Sequence, residues 1–321
     1  MRLTNPYALA PEPCYIMSDL IRILMKQLLH SVFAVLFCAS FQASAGAIAP
    51  DPSKLKLLSA NALIVGSGDG VQIYSKNAEI VTPIASITKL MTAMVVLDAK
   101  QALDDPLTVD IADLDMIKGS HSRLRLGVEL PRSEMLRLAL MSSENRAASA
   151  LCRYYPGGND ACVRAMNAKA VALGMSHSHF SDPTGLSSDN MSTARDLVKM
   201  VTAASGYPQI REFSTTAGAL VDVPLTGRSL TFQNTNALVR GGTWDIQLQK
   251  TGFIKEAGRC LVMMANVASK PVVIVLLDSF GKLTRIGDAN RIRHWLETGE
   301  ALQEVKPVHR KKVLLAKRRY R

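Results

Sequence analysis

Residues 246–278 read IQLQKTGFIKEAGRCLVMMANVASKPVVIVLLD. Ile246 to Thr251, Arg259 to Val267 and Val272 to Asp278 are apolar, β-branched runs separated by turn residues, the pattern of strands. Far upstream, Ala62 to Val65 and Val71 to Tyr74 flank a Gly68-Asp69-Gly70 turn, a hairpin signal. Neither set of strands makes a stable sheet alone, so both are expected to share one. Between them lie helical patterns. These are Ile87 to Leu97, Ser133 to Met141, Asn145 to Tyr154 after a break at Ser142-Ser143, and Asp160 to Leu173 closed by Gly174. Thr193 to Ala204 follows, with Thr193 as cap and Asp196 three residues on, close to a capping box. The last helix is expected over Asp288 to Thr298, capped by Asp288 and ended by Gly299. This order predicts an α/β chain of the α+β kind. An antiparallel sheet is flanked by helices, with a helical subdomain inserted between its halves.

The composition agrees. The 321 residues are 48% apolar and 20% charged, ordinary globular usage that excludes a disordered or collagen-like chain. No apolar run reaches the roughly 18 to 20 residues of a membrane span. The net charge of +11 is unevenly placed: residues 305–321 hold eight Lys and Arg and no acid, residues 1–45 add +1, and the middle carries only +2. The charge therefore gives no reason to expect a nucleic-acid-binding fold.

The ends read as signals rather than fold. Lys26 precedes an apolar stretch from Leu28 to Phe41, and Ala43-Ser44-Ala45 supplies a small-x-small cleavage pattern. Cleavage after Ala45 leaves a mature start at Gly46. The expected plan is an upstream extension over 1–24, with Met17 or Met25 as alternative starts, and a signal peptide over 25–45. A single domain over 46–304 and a basic tail over 305–321 complete it. Phe37 before Cys38 is too bulky for a lipoprotein cleavage site, so a soluble, exported, periplasmic protein is predicted. The tail is either a solvated end or a weak contact to an anionic envelope surface. Cys152, Cys162 and Cys260 remain after export. Cys152 and Cys162 flank a Pro156-Gly157-Gly158 turn and are either bridged or two buried thiols. Cys260 reads as an inert core residue.

Chemistry concentrates in three short motifs. Ser86-Ile87-Thr88-Lys89 opens a helix after Pro83, which puts Ser86 and Lys89 on one face. A hydroxyl is a weak nucleophile and needs a base. A free lysine amine is only about 0.04% neutral at pH 7, so Lys89 must lose about 4 kcal/mol of its affinity for a proton. Burial and a second cation would do this. Ser53 with Lys56 and Ser279 with Lys282 share the spacing, but neither begins a helix, where the dipole favours a developing oxyanion. Ser143-Glu144-Asn145 falls at the break between two helices. Ser143 there would hand a proton onward, and Asn145 would bond a substrate amide. Ser188-Asp189-Asn190 has the same spacing and reads as a polar loop before the Thr193 helix. Lys250-Thr251-Gly252 ends a strand. It offers the second cation, a hydroxyl for a carboxylate, and a glycine that permits close backbone approach.

With their surroundings these motifs resemble the low-molecular-mass penicillin-binding proteins, the D-alanyl-D-alanine carboxypeptidase and endopeptidase group. The segments are Ala85 to Thr92, Leu140 to Ala148, Pro183 to Asn190, and Lys250 to Phe253 followed by Glu256 to Val262. The resemblance covers roughly Ala60 to Gly299. It implies a β-lactamase/DD-peptidase-like fold and a serine peptidase acting on peptidoglycan stem peptides and cross-bridges. Ser86 would form an acyl-enzyme, and Lys89 would take its proton. Ser143 with Lys250 would protonate the leaving amine. Asn145 and Thr251 would hold the substrate amide and carboxylate. Backbone N–H groups of Ser86 and Phe253 would bind the oxyanion. β-Lactams would acylate Ser86. No cofactor, metal or nucleic acid is implied.

The short C-terminal part after the last helix favours the endopeptidase branch, with removal of terminal D-alanine as the alternative. A β-lactamase would need a deacylating Glu, and none stands in Thr184 to Thr193. A non-catalytic wall-binding protein would be expected to lack part of the constellation. His177-Ser178-His179 with Asp182 lacks the His-Glu-x-x-His helix of a metallopeptidase.

Overall fold

The three downstream runs and the upstream hairpin do join one antiparallel sheet. In the computed structural model, which describes residues 50–116, 118–223 and 227–302, the strand order is β2-β1-β11-β10-β9. The strands are β1 (Asn61–Gly66), β2 (Gln72–Lys76), β9 (Asp245–Ile254), β10 (Gly258–Val267) and β11 (Lys270–Ser279). Short pairs complete the set: β3 (Thr82–Pro83) with β6 (Met191–Ser192), β4 (Pro106–Thr108) with β5 (Glu129–Pro131), and β7 (Gly218–Val223) with β8 (Arg228–Gln233). The described helices are α1 (Lys89–Asp98), α2 (Arg132–Met141), α3 (Asn145–Arg153), α4 (Gly158–Ala172), α5 (Ala194–Ala204), α6 (Pro208–Thr215), α7 (Ala237–Gly241) and α8 (Thr284–Thr298). The upstream extension, the signal peptide with its cleavage point, and the basic tail lie outside the described residues.

The apolar runs are nearly continuous because both faces of the sheet are covered. Alternate residues of a strand feed opposite cores. Leu63, Val262, Val273, Val275 and Leu277 pack with α1 to α5, whereas Ala62, Ile64, Leu261, Ile274 and Leu276 pack with Ile292 and Trp295 of α8. The helical insertion thus covers one face, and the C-terminal helix covers the other.

Two helix starts differ from the pattern reading. The segment expected as one helix from Ile87 begins as a 3-10 turn, Ala85–Thr88, and becomes α-helical only at Lys89. The last helix starts at Thr284, four residues before Asp288. Asp288 is no cap. Its buried carboxylate accepts the N–H groups of Leu58 and Ser59 and the Ser59 hydroxyl, tying the segment before β1 to α8. Gly299 does end that helix in the left-handed region. Thr193 caps α5 through the Asp196 N–H as expected, but Asp196 turns away to accept the His177 N–H and the Ser178 hydroxyl.

Cys152 and Cys162 form a disulfide between α3 and α4, with Cα atoms 5.4 Å apart. Cys260 is a buried free thiol, pushed up to about 11 by burial, which keeps it protonated and unreactive. No described helix is long and apolar enough to cross a membrane.

Candidate active site

The 3-10 turn matters for the first motif. With three residues per turn, positions i and i+3 eclipse, so Ser86 and Lys89 stack more directly than on an α-helix. Lys89 Nζ lies 3.0 Å from Ser86 Oγ. Its other two contacts are carbonyl oxygens, Asn145 Oδ1 at 2.7 Å and Thr184 O at 2.6 Å. A neutral amine has two N–H bonds and one lone pair. The two carbonyls can only accept, so they take the N–H bonds. The lone pair then faces the Ser86 hydroxyl, the orientation a general base needs.

Electrostatics matches that geometry. Lys89 is 1% exposed, and burial drives its ammonium from the ordinary 10.5 down to about 7. The Asp182, Glu144 and Asp115 carboxylates oppose the shift. The second lysine is in place, but burial and not its charge accounts for the lowering of Lys89, while Lys89 helps to lower it. Lys250, wholly buried on β9, is held well below its usual range by burial first, then by the Lys89 and Arg285 charges. Lys250 Nζ donates to Ser143 Oγ at 2.9 Å and to Thr251 O at 2.9 Å. Ser143 sits in the left-handed region at φ +60°, in the break between α2 and α3. That strained turn aims its hydroxyl across at the sheet. Burial raises the Glu144 carboxyl.

β9 is an edge strand of the sheet, and it runs against the turn that carries Ser86. A Cβ on Gly252 would fall 2.9 Å from Ile84 O and 3.2 Å from the Ser86 nitrogen. Only glycine permits this approach, which is what an oxyanion hole shared by Ser86 and Phe253 N–H groups requires. On the other side, Gly185 packs on the Ala85 carbonyl, where a Cβ would sit 2.0 Å from the oxygen. Phe253 itself is half exposed, its ring under the Arg259 guanidinium.

The structure brings all eight expected site residues, Ser86, Lys89, Ser143, Asn145, Lys250, Thr251, Gly252 and Phe253, to one region between the edge strand and the helical insertion. A cavity of about 300 Å³ opens beside Asn145 and Thr184. Three contributors have no motif of their own. Thr235 bonds Thr251 hydroxyl to hydroxyl at 2.6 Å. Arg285 is buried beside Lys250, and its Nε and Nη1 have no partner among the described residues. Asp182, weighed above only as a metal ligand, accepts N–H groups from Thr184, Gly185 and Ser187. It thereby shapes the loop whose Thr184 carbonyl meets Lys89. Asn190 of the rival Ser188 motif is buried in that loop, with Oδ1 on the Ser181 N–H. Among the described residues no three His, Cys, Asp or Glu gather in a metal-binding group.

Known proteins resemble this chain in sequence and fold. The family model for D-alanyl-D-alanine carboxypeptidase, Peptidase_S11, matches residues 48–281. A D-alanyl-D-alanine endopeptidase of Pseudomonas aeruginosa is 51% identical over 78% of this chain and 80% of its own length. One from Escherichia coli is 50% identical over 80% of this chain and 83% of its own. Among solved structures, the Streptomyces K15 DD-transpeptidase superposes with a TM-score of 0.70 at 28% identity, covering 75% of this chain and 98% of that one. Penicillin-binding protein D2 of Listeria monocytogenes, solved in its ampicillin-bound form, gives 0.64 at 28% identity, covering 75% and 97%. The fold is that of the DD-peptidases and β-lactamases, and the chain belongs to the D-alanyl-D-alanine carboxypeptidase family of serine peptidases, resembling its endopeptidases of the penicillin-binding protein 7 type.

Proposed function

We propose that the chain is a periplasmic endopeptidase that opens D-alanyl–diaminopimelyl cross-bridges of peptidoglycan through an acyl-enzyme on Ser86. The observation that carries the reading is the three-way setting of Lys89, whose Nζ lies within hydrogen-bond reach of Ser86 Oγ, Asn145 Oδ1 and Thr184 O, so that the neutral amine has its lone pair left for Ser86. Ser86 Oγ attacks the D-alanyl carbonyl as its proton passes to Lys89. The new oxyanion takes the N–H groups of Ser86 and Phe253, a stabilisation of about 3 to 4 kcal/mol per donor. Asn145 holds the substrate amide with an Nδ2–H. Thr251, Thr235 and the Arg285 guanidinium, whose Nε and Nη1 have no partner among the described residues, receive the carboxylate of the leaving residue. Collapse of the tetrahedral centre breaks the C–N bond. The leaving amine takes a proton from Ser143, which Lys250 replenishes with the proton that Lys89 gives up, so that Lys89 is neutral again. Water, activated by Lys89, then cleaves the ester.

The cross-bridge preference is supported by the names of the two half-identical relatives. Removal of terminal D-alanine is the second reading, favoured by the more distant carboxypeptidases of Bacillus subtilis and Escherichia coli. Penicillins mimic the D-alanyl substrate and acylate Ser86, in keeping with the ampicillin-bound relative. Export follows from the signal pattern ending at Ala45.

The test is residues 46–321 incubated with purified cross-linked muropeptide dimers and with monomeric pentapeptides, products being separated by chromatography and weighed. Dimers should fall to monomers, and Ser86→Ala or benzylpenicillin should stop it. Release of D-alanine alone would favour the second reading, and no product from either would overturn both.

A further inference from the structure

Asn145 must do two things at once. Its Oδ1 takes a Lys89 N–H, and its Nδ2 carries two N–H bonds. One of these goes to Ser120 Oγ at 2.8 Å, leaving one for a substrate carbonyl. Asn145 is the first residue of α3, so it lacks the support of a preceding helical turn. Ser120 comes from a segment 25 residues upstream that belongs to no helix or strand.

That segment is built and fastened. The Asp115 carboxylate accepts the Lys118 N–H at 2.8 Å and the Ser120 N–H at 2.7 Å, closing a tight turn that presents Ser120. Two residues then meet the start of α3: Ser120 Oγ accepts from Asn145 Nδ2, and the Leu124 carbonyl accepts from Arg146 Nη1 at 2.5 Å. At its other end Lys118 pairs with Glu256 at 2.6 Å, in the turn between β9 and β10. The strap therefore joins both walls of the site.

We propose that Ser120 is a positioning residue for the acylation step. It occupies one N–H of Asn145 Nδ2 and locks that amide with Oδ1 on Lys89 and the remaining N–H on the substrate. This rests on Ser86 acylation as proposed above. Without the Ser120 hydroxyl, Asn145 turns about its side-chain bonds. Lys89 then loses one of the two acceptors that point its lone pair at Ser86.

The test is a double-mutant cycle on Ser86 acylation by benzylpenicillin, with rates followed by intact mass. Ser120→Ala in the wild-type background should slow acylation about tenfold, the factor carried by one hydrogen bond. Ser120→Thr, which keeps the hydroxyl, should restore most of it. Ser120→Cys keeps the volume with a weaker acceptor and should fall between. In an Asn145→Ala background Ser120→Ala should add nothing, since its effect passes through Asn145. Equal slowing in both backgrounds, or no slowing in the first, would overturn the proposal. If the wild type itself forms no adduct, the acylation reading fails as well, so the two failures are distinguishable.

Discussion

Lowering the pH from 9 to 5 should switch off acylation by protonating Lys89. The magnitude follows from burial. With Lys89 held at about 7, the amine is about 99% neutral at pH 9, about half neutral at pH 7 and about 1% neutral at pH 5. A solvent-exposed lysine would be only about 0.04% neutral at pH 7. Since only the neutral amine can accept the Ser86 proton, the acylation rate tracks that fraction. It should sit on a plateau near pH 9, halve near pH 7 and fall about a hundredfold by pH 5. The sign is set by the direction of the shift: a lysine pushed down is charged, and useless as a base, only on the acid side of about 7. The assay is the second-order rate of benzylpenicillin acylation by intact mass in buffers of constant ionic strength. Fluorescence at each pH ensures that the protein remains folded. A rate flat from pH 9 to 5, or an acid limb centred near 10, would refute the reasoning, because Lys89 would then be no neutral base.

Gly252→Ala should cut acylation about a hundredfold or more and lower the thermal midpoint, the backbone clash costing about 1 to 3 kcal/mol. Its new Cβ, 2.9 Å from Ile84 O and 3.1 Å from Ala85 Cβ, must push the edge strand away from Ser86 and spoil the oxyanion hole. Unaltered activity would mean that β9 does not supply a donor there. Replacing both Cys152 and Cys162 by Ser should cost about 3 kcal/mol, the loop-closure entropy of a ten-residue separation, read as a lower urea midpoint.

The strand runs at 62–65, 246–251, 259–267 and 272–278 were legible because each places alternate apolar residues in two cores, and burial on both faces leaves a dense apolar signature. The β7–β8 pair was not, since Gly218–Val223 buries only two of its six residues and gives little contrast. The two misread helix starts share a cause. Apolar spacing cannot separate a 3-10 turn from an α-turn over four residues, and Asp288 looks like a cap when its partners, Leu58 and Ser59, lie 230 and 229 residues away. The site divides in the same way. Ser86 with Lys89 was legible because both lie on one element at fixed spacing. Ser143 with Lys250, 107 residues apart, was legible only through the family resemblance. Thr235, Arg285 and Ser120 reach the site by tertiary folding alone, from segments with no motif to mark them.

The account stands most directly on one adduct. Residues 46–321 with benzylpenicillin, followed by intact mass and peptide mapping, should yield a single covalent species on Ser86 that is absent in Ser86→Ala. No adduct with the drug left intact, or an adduct that persists in Ser86→Ala, would contradict the assignment of Ser86 as the nucleophile.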